Sequence, residues 1–172
     1  MHLVIDARTV ADHFPGIGRY VYQLVEALAA EHSEHRLTLL YAPRQRNTRF
    51  GLAELARRTG VTLVSVGALP FSAGEHLVVP QVLRILGADL YHAPYYVRPY
   101  FGLPCPAVTT LYDAIPVLFP HSVSWQARRL FVILHRLAIA SSRRIITISH
   151  SARADLQALF GSSLAQAAVV PL

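Results

Sequence analysis

The stretch "HFPGIGRYVYQ", residues 13–23, lies between a short apolar run, "HLVIDA" (2–7), and a helical pattern that begins at once. The run reaches an acid near its end, as is typical of a buried parallel strand. Beyond the glycines, Tyr20, Val21 and Leu24 share one helical face. A strand, a glycine-containing loop and an amphipathic helix in this order predict the first unit of a parallel α/β sheet.

The same alternation of strand and helix patterns continues along the whole chain. Further strand patterns occupy residues 36–42, 61–67, 88–94, 107–116, 144–149 and 167–172. Further helical patterns occupy residues 50–60, 75–87, 124–140 and 151–160. Gly60 is expected to end the second helix, and Pro80 to kink or restart the third. We therefore expect residues 1–172 to form one domain, a doubly wound and mostly parallel sheet with helices on both faces.

The composition is that of a folded globular domain. Of the 172 residues, 53% are hydrophobic and 15% are charged, which excludes a disordered chain. No apolar run reaches the length of a membrane-spanning helix, and the opening "MHLVIDAR" has the pattern of a strand rather than of a signal peptide. The single cysteine, Cys105, excludes a disulfide framework. We expect a cytoplasmic protein.

The charge is basic, and arginine supplies all of it. The net charge is +6, and each of the 16 basic residues is an arginine, which suits phosphate and carboxylate oxygens. Codon usage in a GC-rich genome explains the missing lysines equally well, and charge alone does not choose a partner. Because no nucleic-acid-binding motif is present, we expect no nucleic-acid partner.

An arginine-rich helix is predicted over residues 124–140. Arg128, Arg129, His135 and Arg136 form a polar stripe on it, and Arg143 and Arg144 follow. This stripe either rests on an anionic bilayer, at the inner face of a membrane, or is an ordinary solvated face.

The glycine loop has two interpretations. Gly16 and Gly18 either shape a turn and permit close packing, or they let backbone N–H groups and the helix amino end face an anion. The dinucleotide fingerprint is absent, since Val21 occupies the place of its third glycine and no acid follows the second strand. The phosphate-loop sequence Gly-Lys-Ser/Thr is absent as well.

Four segments together resemble the amino-terminal domain of family 4 glycosyltransferases, which have the GT-B fold. They are "GIGRYVYQLVEALA" (16–29), "ADLYHAP" (88–94), "TTLYDAIPVLFP" (109–120) and "RIITISHSARADL" (144–156). The resemblance covers nearly the whole chain and implies a Rossmann-like sheet, the amino-terminal half of a GT-B fold.

The resemblance implies retaining transfer of a sugar from a nucleotide-sugar donor to a sugar or lipid-linked acceptor, in polysaccharide or glycolipid synthesis. No cofactor or metal is implied. Members usually continue into a second Rossmann-like domain with two glutamates seven residues apart, which holds most of the donor. Nothing in this chain resembles that carboxy-terminal domain, so we expect an acceptor-side half that is inactive alone. A non-catalytic ligand-binding or regulatory module is the alternative.

The resemblance also implies site residues. The donor diphosphate would contact the glycine loop at Gly16, Ile17, Gly18 and Arg19. Where many members have His-Asp, this chain has Tyr112 and Asp113, which we take as the candidate catalytic pair. The candidate acceptor-binding residues are His92, Tyr95, Tyr96, Ser149 and His150.

Each of these candidates also has a structural interpretation. In that interpretation Asp113 binds backbone amides, His92 is a core histidine, and Ser149 caps the following helix. The aromatic loop at 95–104 either stacks on a sugar or fills a gap in the packing. No histidine, cysteine and carboxylate cluster has metal-ligand spacing, so we expect no metal site.

Overall fold

A parallel β-sheet forms the centre of the protein in the computed structural model, which describes residues 1–31 and 34–171. Its strands are β1 (His2–Asp6), β2 (Arg36–Tyr41), β3 (Thr62–Ser65), β4 (Leu90–Ala93), β5 (Ala107–Leu111), β6 (Arg144–Thr147) and β7 (Ala168–Val169). The helices are α1 (Pro15–Glu31), α2 (Leu52–Thr59), α3 (Glu75–Leu86), α4 (Ile115–Leu118), α5 (Trp125–Ala140) and α6 (His150–Phe160). The strand order is β3-β2-β1-β4-β5-β6-β7, and every described pair is parallel.

Helices cover both faces of this sheet. Successive side chains of a strand point to opposite faces. In β1, Leu3 and Ile5 belong to one buried cluster, together with residues of α1 and α2. Val4 belongs to a second cluster, with Val79 and Leu83 of α3. The doubly wound α/β fold that was predicted from the sequence is therefore confirmed.

The strand predicted over residues 107–116 ends early, at Leu111. After it, Asp113 Oδ1 accepts a hydrogen bond from the Ile115 backbone N–H at 2.9 Å. Pro116, in the first turn of the short helix α4, favours a helical start. Local capping thus forms a helical turn where the apolar pattern alone indicated a continuing strand.

Four other features of the helices and strands bear on the predictions. Helix α1 begins at Pro15, so the glycines lie in its first turn. Helix α3 is a single element with Pro80 buried inside it, so the predicted restart there is wrong. Gly60 ends α2 in the left-handed conformation, as predicted. The strand predicted over 167–172 is limited to β7, and residue 172 lies outside the described residues.

A buried ionic cluster fixes the end of β1. The Arg8 guanidinium binds both carboxylate oxygens of Asp6, at 2.8 and 2.7 Å, and reaches Glu75 of α3 at 3.1 Å. Burial alone would raise the pKa of Asp6, but the charge and hydrogen bonds of Arg8 hold it below its usual value. The acid at the end of the first strand therefore joins β1 to α3.

The sheet reverses its winding between β1 and β4. β1 pairs with β2 on one side and with β4 on the other. The chain thus crosses over after β3, and the loops that follow β1 and β4 diverge at the carboxyl edge of the sheet. In open α/β sheets, ligands bind in the crevice at such a switch point.

Candidate functional site

A cavity of about 540 Å³ opens beside the amino end of α1. Its lining residues are Pro15, Gly16, Arg19, Tyr20, Gln23, Arg49 and Phe50. Arg19 and Arg49 are both exposed and bring two guanidinium groups to it. We call this the first cavity. Its position and charge suit an anionic ligand.

The two glycines of α1 have different reasons to be glycine. Neither has a positive φ, so an unusual turn conformation does not explain them. A Cβ atom on Gly18 would lie 2.4 Å from the Phe50 ring, whereas one on Gly16 would meet nothing within 4 Å. The close-packing interpretation is therefore right for Gly18, and Gly16 leaves open space at the cavity wall.

Backbone N–H groups at the start of α1 remain available for a ligand. The Gly18 N–H donates to the Phe14 carbonyl oxygen at 3.0 Å, in the first helical bond. The N–H groups of Gly16 and Ile17 precede it and have no acceptor within the helix. The Ile17 side chain is buried in the core, so this residue can contribute only its backbone.

A second, smaller cavity of about 120 Å³ lies between the loops after β4 and β5 and the helices α4 and α5. Its lining residues are Tyr95, Tyr96, Tyr112, Asp113, Pro116, Phe131 and His135. Four of these were candidates from the sequence, and the structure brings them together. We call this the second cavity.

The tyrosine hydroxyls of the second cavity are held neutral. Burial raises the pKa of Tyr95, Tyr96 and Tyr112 above the usual tyrosine value. The Tyr112 hydroxyl is buried and has no hydrogen-bond partner among the described residues. It is therefore a neutral phenol with an unused donor.

The prediction that His135 belongs to a polar stripe is wrong. Its ring is buried, with its centroid 3.8 Å from that of the Phe131 ring, and it stacks on the Phe160 ring. Burial lowers its pKa to about 4. Its Nδ1–H donates to the Phe131 carbonyl oxygen at 3.0 Å, because that oxygen can only accept.

Aromatic contacts connect the two cavities. Tyr20, which lines the first cavity, meets Tyr112 of the second edge to face, with ring centroids 6.1 Å apart. Phe14, next to the first cavity, lies 5.5 Å from Tyr95 of the second. The two openings are therefore neighbours at the carboxyl edge of the sheet.

Three predicted acceptor-binding residues line neither cavity. His92 is buried and shares the Thr110 hydroxyl with Tyr20, each at 3.0 Å, and burial lowers the His92 pKa to about 4. The Ser149 hydroxyl caps α6, because it accepts a hydrogen bond from the backbone N–H of the third residue of that helix. His150 is the exposed first residue of α6. His92 is therefore a core histidine and Ser149 a helix cap, as their structural interpretations predicted.

Arg98 is a residue that the sequence analysis missed. Its side chain is fully buried and has no carboxylate partner among residues 1–31 and 34–171, and burial lowers its pKa. It donates to Thr109 Oγ1 at 2.8 Å, to the Pro99 carbonyl at 2.6 Å, and to groups at the end of α5. These bonds fix the loop that carries Tyr95 and Tyr96. An arginine inside an otherwise aromatic and apolar loop was the available signal.

Residues 1–31 and 34–171 contain neither a metal-binding cluster nor a membrane-spanning helix. No group of three or more histidine, cysteine, aspartate or glutamate side chains could hold a metal ion there. Over the same residues, no helix has the length and hydropathy required to cross a membrane.

Comparison with known proteins agrees with the fold. A glycosyltransferase from Rickettsia africae ESF-5 has a similar structure, with a TM-score of 0.59 and 7% sequence identity. The similarity covers 99% of this chain and 42% of that protein. No curated protein sequence gives a significant match. The sequence profile of Glycosyltransferase Family 4, however, matches residues 15–172. The chain therefore belongs to Glycosyltransferase Family 4.

Proposed function

We propose that this chain is the acceptor-side domain of a retaining glycosyltransferase. The enzyme would move a sugar from a nucleotide-sugar donor to an acceptor hydroxyl in polysaccharide or glycolipid synthesis. The observation that supports this most is the pair of neighbouring cavities at the switch point of a family 4 domain, one cationic and one lined by tyrosines. Two reacting molecules require two adjoining sites.

The first cavity is proposed to bind the donor diphosphate. Cleavage of the bond between sugar and phosphate builds negative charge on the leaving diphosphate. The N–H groups of Gly16 and Ile17, at the positive end of α1, can donate to those oxygens. The Arg19 and Arg49 guanidinium groups add charge at the same opening. The loop thus stabilises the leaving group and supplies no nucleophile.

The second cavity is proposed to bind the acceptor. The Tyr95 and Tyr96 rings, with centroids 4.3 Å apart, offer apolar surface against which a sugar can pack. Tyr112 offers a hydroxyl donor, and Asp113 offers a carboxylate that is anchored through one oxygen to Ile115. A hydroxyl group of the acceptor can donate to the other oxygen.

A second domain is proposed to complete the donor site. The chain spans 42% of the length of the solved glycosyltransferase that it resembles. The first cavity holds groups for phosphate oxygens, and a nucleoside and sugar need further surface. We therefore expect residues 1–172 alone not to turn over a nucleotide sugar. Measured turnover by this chain alone would contradict the proposal.

Pyrophosphate binding tests the first cavity directly. Inorganic pyrophosphate is titrated into the protein while backbone amide resonances are followed by NMR. The largest shifts are expected at Gly16 and Ile17. The double variant Arg19→Ala/Arg49→Ala should weaken pyrophosphate binding by tenfold or more. A tenfold loss of affinity corresponds to about the binding free energy of one charge-assisted hydrogen bond.

The control has one exposed arginine removed at the opposite edge of the sheet. Arg143, just before β6, is exposed at the amino edge, so Arg143→Ala should leave pyrophosphate affinity nearly unchanged. If Arg143→Ala weakens binding as much as Arg19→Ala alone, only the net charge matters. Shifts that spread over the surface and spare the first turn of α1 would likewise contradict a diphosphate site.

A further inference from the structure

The surface formed by α4, the turn after it and α5 exposes large apolar side chains beside the second cavity. Its exposed apolar residues are Ile115, Leu118, Phe119, Trp125, Leu130 and Ile133. Phe119 and Trp125 have 63% and 60% of their surface in contact with solvent. We call this surface the α4–α5 face. Single exposed apolar residues are ordinary, but several on one pair of packed elements mark a binding surface.

Only part of α5 packs on the protein. Phe131, His135 and Ala138 are buried on its inner side. The first six residues, 125–130, are all exposed, so the amino end of the helix projects from the domain. Ile133 lies opposite the buried side. The α4–α5 face is thus an unpartnered surface in the described structure.

The charges carried by α4 and α5 themselves have one sign. Residues 114–142 contain no acidic residue and three arginines, namely Arg128, Arg129 and Arg136. On the outward side of α5, Arg129 and Arg136 flank Ile133 at helical spacing. The nearest acids along the chain are Asp113, which lines the second cavity, and Asp155 of α6. Apolar residues set among cations match an anionic bilayer, which offers phosphates outside and acyl chains inside.

We propose that the α4–α5 face docks on an anionic lipid bilayer. Trp125 and Phe119 enter the boundary between headgroups and acyl chains, while Arg129 and Arg136 meet the lipid phosphates. This inference goes beyond the proposed function and does not depend on it. Because Pro116 of α4 and Phe131 of α5 also line the second cavity, docking brings the bilayer next to that cavity.

Trp125 provides a direct test because it is the only tryptophan in the chain. Its fluorescence is recorded while vesicles of phosphatidylglycerol and phosphatidylcholine are added. The emission should shift to shorter wavelength and become protected from acrylamide, and vesicles of phosphatidylcholine alone should have little effect. Co-sedimentation with the vesicles gives the affinity. Arg129→Ala/Arg136→Ala should weaken it by about 30-fold, or about fivefold per arginine.

The control variant removes the same charge elsewhere. Arg44 and Arg57 are exposed in the region of β2 and α2, so Arg44→Ala/Arg57→Ala should bind vesicles almost as the unchanged protein does. An equal loss in this control would reduce the effect to net charge and overturn the proposal. Unchanged Trp125 emission with anionic vesicles would overturn it as well. Emission that shifts with protein concentration alone would show that a second copy covers the face, and this too would overturn it.

Discussion

Replacing Gly18 with alanine tests how the wall of the first cavity is built. The added Cβ would lie 2.4 and 2.6 Å from two atoms of the Phe50 ring, well inside van der Waals contact. Phe50 is half-buried, packs against the core cluster under α1 and lines the cavity. The ring must therefore move or the helix must shift. Gly16→Ala is the matched control, because its Cβ meets nothing within 4 Å.

Two opposing effects set the expected magnitude. Overpacking a well-filled site costs about 1–3 kcal/mol. Alanine in place of glycine inside a helix returns about 0.5–1 kcal/mol. With each range taken at its middle, Gly18→Ala should lower the free energy of unfolding by about 1 kcal/mol, or the melting temperature by roughly 2–4 °C. Gly16→Ala should be neutral or stabilising.

A double-mutant cycle in urea isolates the contact. Phe50→Ala removes the ring, so adding Gly18→Ala to that background should no longer destabilise the protein and should stabilise it slightly. If Gly18→Ala costs as much without the ring as with it, the clash with Phe50 is not the reason for the glycine. A destabilising Gly16→Ala would contradict the same reasoning, since helix propensity is then not the compensating effect.

Three buried basic side chains, His92, His135 and Arg98, give further predictions. His92 and His135 are neutral in the folded protein because burial lowers the pKa of each to about 4, and the unfolded chain takes up protons near pH 6.5. The free energy of unfolding should thus be highest above about pH 6.5 and fall by about 3 kcal/mol per histidine as the pH drops towards 4. In urea unfolding, the free energy of His135→Phe should depend less on pH than that of the control His121→Phe, which changes an exposed residue. Equal pH dependence of the two variants would contradict this. Arg98→Met should lower the free energy of unfolding by about 3 kcal/mol or more in the same assay, because several buried acceptors lose their donor. The control Arg84→Met, at the exposed surface, should have a small effect. An Arg98→Met protein as stable as the unchanged one would show that desolvation of the guanidinium outweighs its hydrogen bonds.

Much of the fold follows from the sequence because its signals are local and periodic. Apolar runs and amphipathic patterns place most strands and long helices of a doubly wound sheet within about two residues of their observed bounds, whereas the predicted ends of β5 and β7 are wrong and the short helix α4 is missed. The aromatic loop after β4 and the family resemblance also select Tyr95, Tyr96, Tyr112 and Asp113, which line one cavity. Parallel strands bring their carboxyl ends to one edge, so residues distant in sequence become neighbours there.

The remaining features depend on tertiary contacts that leave no periodic signal. Phe50 is 32 positions after Gly18, and the structure alone shows that its ring occupies the space beside that glycine. His135 follows the spacing of nearby arginines, yet helical spacing does not distinguish a solvated histidine from one stacked between aromatic rings. His92 sits at a strand end, as a site residue does, and is buried beneath the site because its ring bonds to Thr110.

Tyr112 limits what the second cavity can do chemically. The resemblance to family 4 glycosyltransferases places it where many members carry histidine. An imidazole there can take up a proton near neutral pH, whereas burial raises the pKa of the Tyr112 phenol and keeps it protonated. The hydroxyl also lacks a partner among the described residues, so its proton is free to be donated. Under the proposed function, position 112 therefore contributes a hydrogen bond to an oxygen of the reacting sugars. Of the candidate catalytic pair, only Asp113 then carries a group that can accept a proton from the acceptor hydroxyl.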